Sequence, residues 1–464
     1  LQVLSVIGFS FVYGYITTAM LGSLLRPWIG IVAIYGLTTL NIEWNWRWVV
    51  ERQAGFQSKV TMCMLAGVVL SAFPGQRLRG LPLIACLSLL GFLGLSYLSA
   101  TQTIDPYKTE FYMHFIWRIV FIALVAVRLL DTPQKVNWMM WTVALGLGYN
   151  AYGINREYFE IGFCRYVYHT EWAWLGSNQW SMLFVCSAAI SFSLVFFSKR
   201  LWQKALAGIL LLLSAHAVML LESRGSMLGL IGMWLLAIIF MPKNKNTIGM
   251  MTLALTAVSL LAGPSVIQEF SSIFNEGENL DSSASSRMDL WRAGWLISMD
   301  YPLLGVGPYA GQRLVPMYLP YEIDRTYKGL HNLFFEISTG SGLPAAILFV
   351  LFSLLPWISS LAILLRRARF KSLPPELKAA FFSALIGLFG FWICNMFSSG
   401  SLVEGSYVLA VIANSASLIY SREYRKAAIE STTTSFADSS RIPYRNEEYY
   451  RRPGARQSGS TVLR

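Results

Sequence analysis

Apolar stretches of about 16 to 22 residues recur twelve or thirteen times along this 464-residue chain. They begin with 4–20 and 27–43, continue through stretches such as 80–99, 181–197, 226–241, 247–262, 344–365 and 379–397, and end with 405–420. Each is near the roughly 20 residues a helix needs to cross the hydrocarbon of a bilayer. Windows such as LPLIACLSLLGFLGLSYLSA at 81–100 are apolar all round and show no period-2 alternation, which excludes a membrane barrel. Because lipid offers the backbone no hydrogen-bond partner, helices are the remaining solution. The chain is 55% hydrophobic and only 13% charged, so a string of soluble domains is also excluded. The sequence therefore predicts an all-α polytopic membrane protein, a bundle of 12–13 transmembrane helices with an external helical cap loop. Residues 1–421 would form the transmembrane domain, with 263–343 as an external cap loop within it. Residues 422–464, rich in Ser, Thr, Arg and Tyr, read as a disordered cytoplasmic tail.

The net charge of +12 has a membrane explanation. Basic residues are spread over the loops, with no Cys/His finger spacing and no basic recognition helix, which argues against a nucleic-acid partner. Lys and Arg accumulate on the cytoplasmic side of short connections. If Lys199-Arg200 with Lys204, Lys243 with Lys245, and the cluster Arg366 to Lys371 all face the cytoplasm, then Arg224 and residues 263–343 lie outside and the tail returns inside. Arg77 and Arg79 fit this scheme, whereas Arg47, Arg52 and Lys59 fall on the outer side against the rule. Cys63, Cys86, Cys164, Cys186 and Cys394 are too scattered to suggest a disulfide framework or a thiolate metal site.

Two connections are longer than topology requires. The first, about 149–179, holds Arg165, His169 and Asn178. The second, 263–343, contains an amphipathic pattern at Ser286–Met299 stopped by Pro302, followed by LLGVGPYAG, whose glycines would let the backbone approach a ligand. Arg224 separates two closely linked apolar spans, where its guanidinium could hold a phosphate through a bidentate contact or pair with Glu222 or a phospholipid. Arg287 opens the cap helix and could bind phosphate at its start, with Arg292 five residues on. His331 precedes Asn332 at a membrane boundary, suited either to accept a hydroxyl proton or to a satisfied polar role. His114 and Arg118 lie four apart beside Glu110 and read as an intrahelical charge cluster, while His216 reads as a packed core histidine. No HExxH, GxSxG, paired glycosidase carboxylates or dense acidic metal site is present.

Five segments carry a resemblance to a known family: GSNQW at 176–180, LESRGSMLGL at 221–230, SSRMDLWRAGW at 285–295, PLLGVGP at 302–308 and HNLFFEISTGSGLPAAILF at 331–349. In this order they resemble the O-antigen ligase/polymerase superfamily of membrane glycosyltransferases. RPWIGIVAIYGLTTLN at 26–41 is also similar to the exosortase-associated O-glycosylation ligase branch. The resemblance implies a metal-independent, cofactor-free transfer from a polyprenyl-diphosphate-linked saccharide to a hydroxyl of a glycan, lipid A-core or protein. It also implies the bacterial inner membrane, with the active site facing the periplasm or cell exterior. Arg224 and Arg287 would bind the donor diphosphate, and His331 would take a base-like role. Arg292, Arg165, His169, Asn178, Asn332 and Glu222 are candidate substrate contacts. Ligase, polymerase and protein O-oligosaccharyltransferase remain open, as does a transporter of lipid-linked saccharide.

Overall fold

A computed structural model describes residues 2–50, 54–165, 175–241, 249, 282–319 and 329–439. The expected span at 247–262 and candidate His169 lie outside the described residues, as do parts of the expected cap. The described chain is helical throughout: α1 (Gln2–Leu25), α2 (Pro27–Leu40), α3 (Ile42–Asn45), α4 (Phe56–Leu70), α5 (Gly80–Ala100), α6 (Pro106–Leu129), α7 (Pro133–Ile161), α8 (Ser177–Phe197), α9 (Leu201–Leu220), α10 (Arg224–Phe240), α11 (Ser282–Asp300), α12 (Val315–Tyr318), α13 (Leu333–Ser341), α14 (Leu343–Leu365), α15 (Arg367–Ser372), α16 (Pro375–Phe397) and α17 (Gly405–Ser439). Residues 1–419 form one compact unit and 420–464 a second. The expected tail at 422–464 begins within α17 and from residue 440 lies outside the described residues.

Seven described helices are long and apolar enough to cross a membrane: α1, α5, α6, α8, α9, α14 and α16. This makes the chain a polytopic membrane protein, the described residues holding seven of the 12–13 expected spans at full length. Among the other expected stretches, 247–262 lies outside the described residues and several form shorter or more polar helices. The apolar helices α2, α4 and α10 have only 14, 15 and 17 residues. Helix α7 has 29 residues, but its last turns carry Arg156, Glu157 and Glu160. Local chemistry sets the helix starts. Pro occupies the first turn of α2, α6, α7 and α16, where a missing N–H costs nothing, and Asp105 and Thr132 cap α6 and α7 through their side chains.

Helices α8 and α16 are the centre of the bundle, with 89% and 78% of their apolar windows buried, and pack on one another. At one end of the bundle Lys199 forms a 3.0 Å salt bridge to Glu376 and Phe197 packs on Phe370. Two of the three basic clusters expected on one membrane side thus meet; Lys243 and Lys245 lie outside the described residues. The opposite end holds Arg224, the cap and the C-terminus of α16.

The described cap is a small core of its own. Leu290, Ala293 and Ile297, spaced along one face of α11, pack with Val315 and Leu330. Helix α11 then lies on α13, where Ser298 and Ser338 hydroxyls are 2.7 Å apart. The glycine-rich loop 302–310 departs from expectation: its glycines admit protein backbone, not a ligand. Val306 N–H donates to the Thr339 carbonyl at 3.0 Å and Gly307 N–H to that of Gly340 at 2.9 Å. At Gly307, φ is +110°, and a Cβ would stand 2.1 Å from the Thr103 hydroxyl oxygen. The corner between α5 and α6 completes the clamp, with Ile104 N–H bonded to the Val306 carbonyl and Arg313 paired with Asp105 at 3.3 Å.

Candidate functional site

A neighbour of each of the three principal candidates touches the C-terminal end of α16. Arg224 is the first residue of α10, and the next residue, Gly225, packs so closely that a Cβ there would lie 2.7 Å from Phe397 Cβ. Arg287 lies on α11, whose Trp291 ring is 6.0 Å from that of Phe397. Asn332, beside His331, donates from Nδ2 to the Met396 carbonyl at 3.3 Å while its Oδ1 accepts from Phe335 N–H and caps α13. Its described contacts are therefore those of a helix cap that anchors His331.

Two of the candidate residues stand in strained backbone. Glu222 and His331 have φ of +52° and +46°, a left-handed region that non-glycine residues seldom enter. Such strain costs about 1–3 kcal/mol and persists where the surroundings enforce it, often at functional sites. His331 keeps an exposed surface, yet packing around its ring and then the Arg287 guanidinium lower its pKa below the ordinary histidine value. At neutral pH it is therefore held as the neutral imidazole, the form that accepts a proton. A Cβ at Gly329 would lie 3.6 Å from His331 Nε2 and 3.9 Å from Gln312 Oε1, so both side chains flank one spot.

The remaining candidates separate. Arg292 is exposed on the face of α11 shared with Met288, Trp295 and Met299, also exposed, whereas Arg287 follows the line of Trp291, Gly294 and Ser298 toward α13 and α16. Arg165 is ion-paired with the buried Glu157 at the end of α7. Asn178 occupies the first turn of α8 and is half-buried. His216 is buried, with Nδ1 2.6 Å from Asn155 Oδ1, as expected of a core histidine. Among the described residues no ion pair joins His114 or Arg118 to Glu110, and both instead line a large cavity.

Glu336, not singled out in the sequence, is the buried charge of this region. It lies one turn into the nine-residue α13, is 3% exposed, accepts a hydrogen bond from Ser401 and has Oε2 without a partner. Tyr112 and Tyr309, stacked 5.7 Å apart, lie near enough to feel its charge. Burial pushes the carboxyl from 4.5 up to about 7 despite the hydroxyls of Ser401 and Ser399. Between those values the folded chain keeps a proton that the unfolded chain releases, so stability falls as pH rises through the window, by about 3 kcal/mol in full. Glu336→Gln should therefore raise the thermal midpoint above pH 7, with the gain shrinking toward pH 5. Parallel melting curves for both proteins from pH 5 to 8 would contradict this.

Residues 209–350 match the O-antigen ligase family model. The matched segment runs from α9 into α14 and contains Arg224, Arg287 and His331, while Arg165 and Asn178 fall before it. Residues 26–41 also lie outside it, so the match supports the broad ligase/polymerase superfamily and not its exosortase-associated branch. No curated protein matches the chain. An O-antigen ligase domain within a polytopic helical bundle supports an enzyme of the general ligase or polymerase kind.

Proposed function

We propose that this protein is an inner-membrane glycosyltransferase that moves a saccharide from a polyprenyl diphosphate to an acceptor hydroxyl on the periplasmic side, as an O-antigen ligase would. The observation that carries this reading is the approach of Arg224, Arg287 and His331 to one end of α16 within the segment that matches the family. The acceptor oxygen attacks the anomeric carbon, the carbon–oxygen bond to the diphosphate breaks with both electrons leaving on oxygen, and the hydroxyl proton passes to His331. The two guanidiniums stabilise the departing charge. Direct displacement of this kind inverts the anomeric centre.

Beside Asn332, a groove of about 240 Å³ between α13, α14 and α16 supports the same reading. Its walls are Phe334, Ile337, Phe349, Val350, Leu354 and Trp392, apolar side chains suited to a prenyl chain whose diphosphate points toward His331. Product analysis tests the proposal. Purified protein in oriented vesicles receives undecaprenyl-diphosphate oligosaccharide with, in turn, free glycan, lipid A-core and a peptide acceptor. Transfer at the periplasmic face is expected; chain growth would identify a polymerase and transfer to lipid A-core a ligase. No product with any acceptor, or product formed only at the cytoplasmic face, would refute it.

A further inference from the structure

A cavity of about 1080 Å³ lies between α2, α4, α6, α7 and α8 and takes no part in the chemistry above. Its size exceeds that of most small-molecule pockets, so it has room for several linked sugar rings. The loop after α16 separates it from the catalytic residues. Ser401 in that loop bonds Glu336 of α13, while Leu402 and Glu404 line the cavity. The cavity therefore backs onto the same protein wall as the His331 segment.

Its lining chemistry discriminates among occupants. Glu43 and Glu404 stand with His114 and Arg118, a mixed set of charges that does not suit a second diphosphate, on a wall otherwise made largely of apolar side chains such as Leu37, Phe115, Ile119 and Leu147. Two lining residues hold a buried polar atom without a hydrogen-bond partner, Asn41 Nδ2 and Glu404 Oε2, the Glu404 carboxyl otherwise engaging the Thr38 hydroxyl. Buried polar groups are seldom left unsatisfied. Trp44, stacked under the Arg47 guanidinium at 4.5 Å, adds an aromatic surface. Paired donors and acceptors beside an indole fit a polyhydroxyl ligand.

We propose that this cavity binds a part of the acceptor oligosaccharide remote from its reacting hydroxyl, with Asn41 and Glu404 hydrogen-bonding its sugar hydroxyls and Trp44 packing on a sugar ring. The inference rests on the transferase reading for the word acceptor, but saccharide binding can be measured without turnover. Isothermal titration of the full purified chain uses two probes, deacylated lipopolysaccharide core oligosaccharide and undecaprenyl diphosphate. Trp44→Ala and Glu404→Gln should each weaken oligosaccharide binding about 10-fold and leave the diphosphate isotherm unchanged. Ser58→Trp, at an exposed lining position, should block the oligosaccharide without touching a buried group and covers the case in which Glu404→Gln misfolds. Equal oligosaccharide affinity in the native chain and in Trp44→Ala and Ser58→Trp, or no binding by the native chain, overturns the proposal. Failure of the native chain to bind undecaprenyl diphosphate would instead count against the transferase reading, with the oligosaccharide arm still decisive for the cavity.

Discussion

Replacing His331 with Ala is expected to lower turnover by on the order of 10²–10⁴ while donor affinity stays close to native, because a positioned base acts on the proton in flight and not on the bound diphosphate. The structure gives three reasons to assign the proton to this residue. The imidazole is held neutral, since burial and Arg287 both lower its pKa. Its backbone is held at φ +46°, next to Asn332, which caps α13 and bonds the Met396 carbonyl. It also lies within the matched segment, close to Gln312. The measurement is single-turnover transfer at saturating donor and acceptor, with a melting curve to show that the variant is folded. Near-native turnover by a well-folded His331→Ala protein would defeat the base assignment and leave the arginine-centred transfer standing.

The membrane-helical class was legible because hydropathy acts locally: a stretch such as 177–197 must be helical in lipid whatever surrounds it. Helix α11 was equally legible, since its apolar residues repeat on one face before Pro302, and the structure extends it over Ser282–Asp300. Span lengths were less so, because hydropathy alone does not show that three of the apolar stretches form helices of only 14 to 17 residues. The glycines at 305 and 307 read as a ligand loop, but no local rule distinguishes backbone that must approach a ligand from backbone that must approach α13. Glu336 was missed for a related reason. One carboxylate in HNLFFEISTG carries no spacing signal, and only the partner loop at 399–401, far away in sequence, makes it a buried group. Its i, i+5 relation to His331 was the one available hint.

Arg224 and Arg287 should respond differently from His331, and Arg292 should separate from both. Removing either of the first two with Ala is expected to weaken undecaprenyl-diphosphate binding and cut turnover by about 10²–10³, the usual scale for losing one group that stabilises transition-state charge. Arg→Lys at either position should recover only part of the loss, because an ammonium keeps the charge without the planar fork that matches two phosphate oxygens. Arg287→Ala carries a second signature. Its guanidinium lowers the His331 pKa, so its removal lets that pKa rise, the neutral base is lost at a higher pH, and the acid limb of the rate profile moves upward. Arg224→Ala leaves in place the burial and the Arg287 charge that lower the His331 pKa, and should lower the profile without shifting that limb. Arg292, exposed on the other face of α11, should tolerate Ala with near-native transfer. A pH–rate profile for the three alanine variants decides the matter. An unshifted acid limb in Arg287→Ala would break its electrostatic link to the base, and equal damage in Arg292→Ala would show that a single face of α11 does not define the diphosphate site.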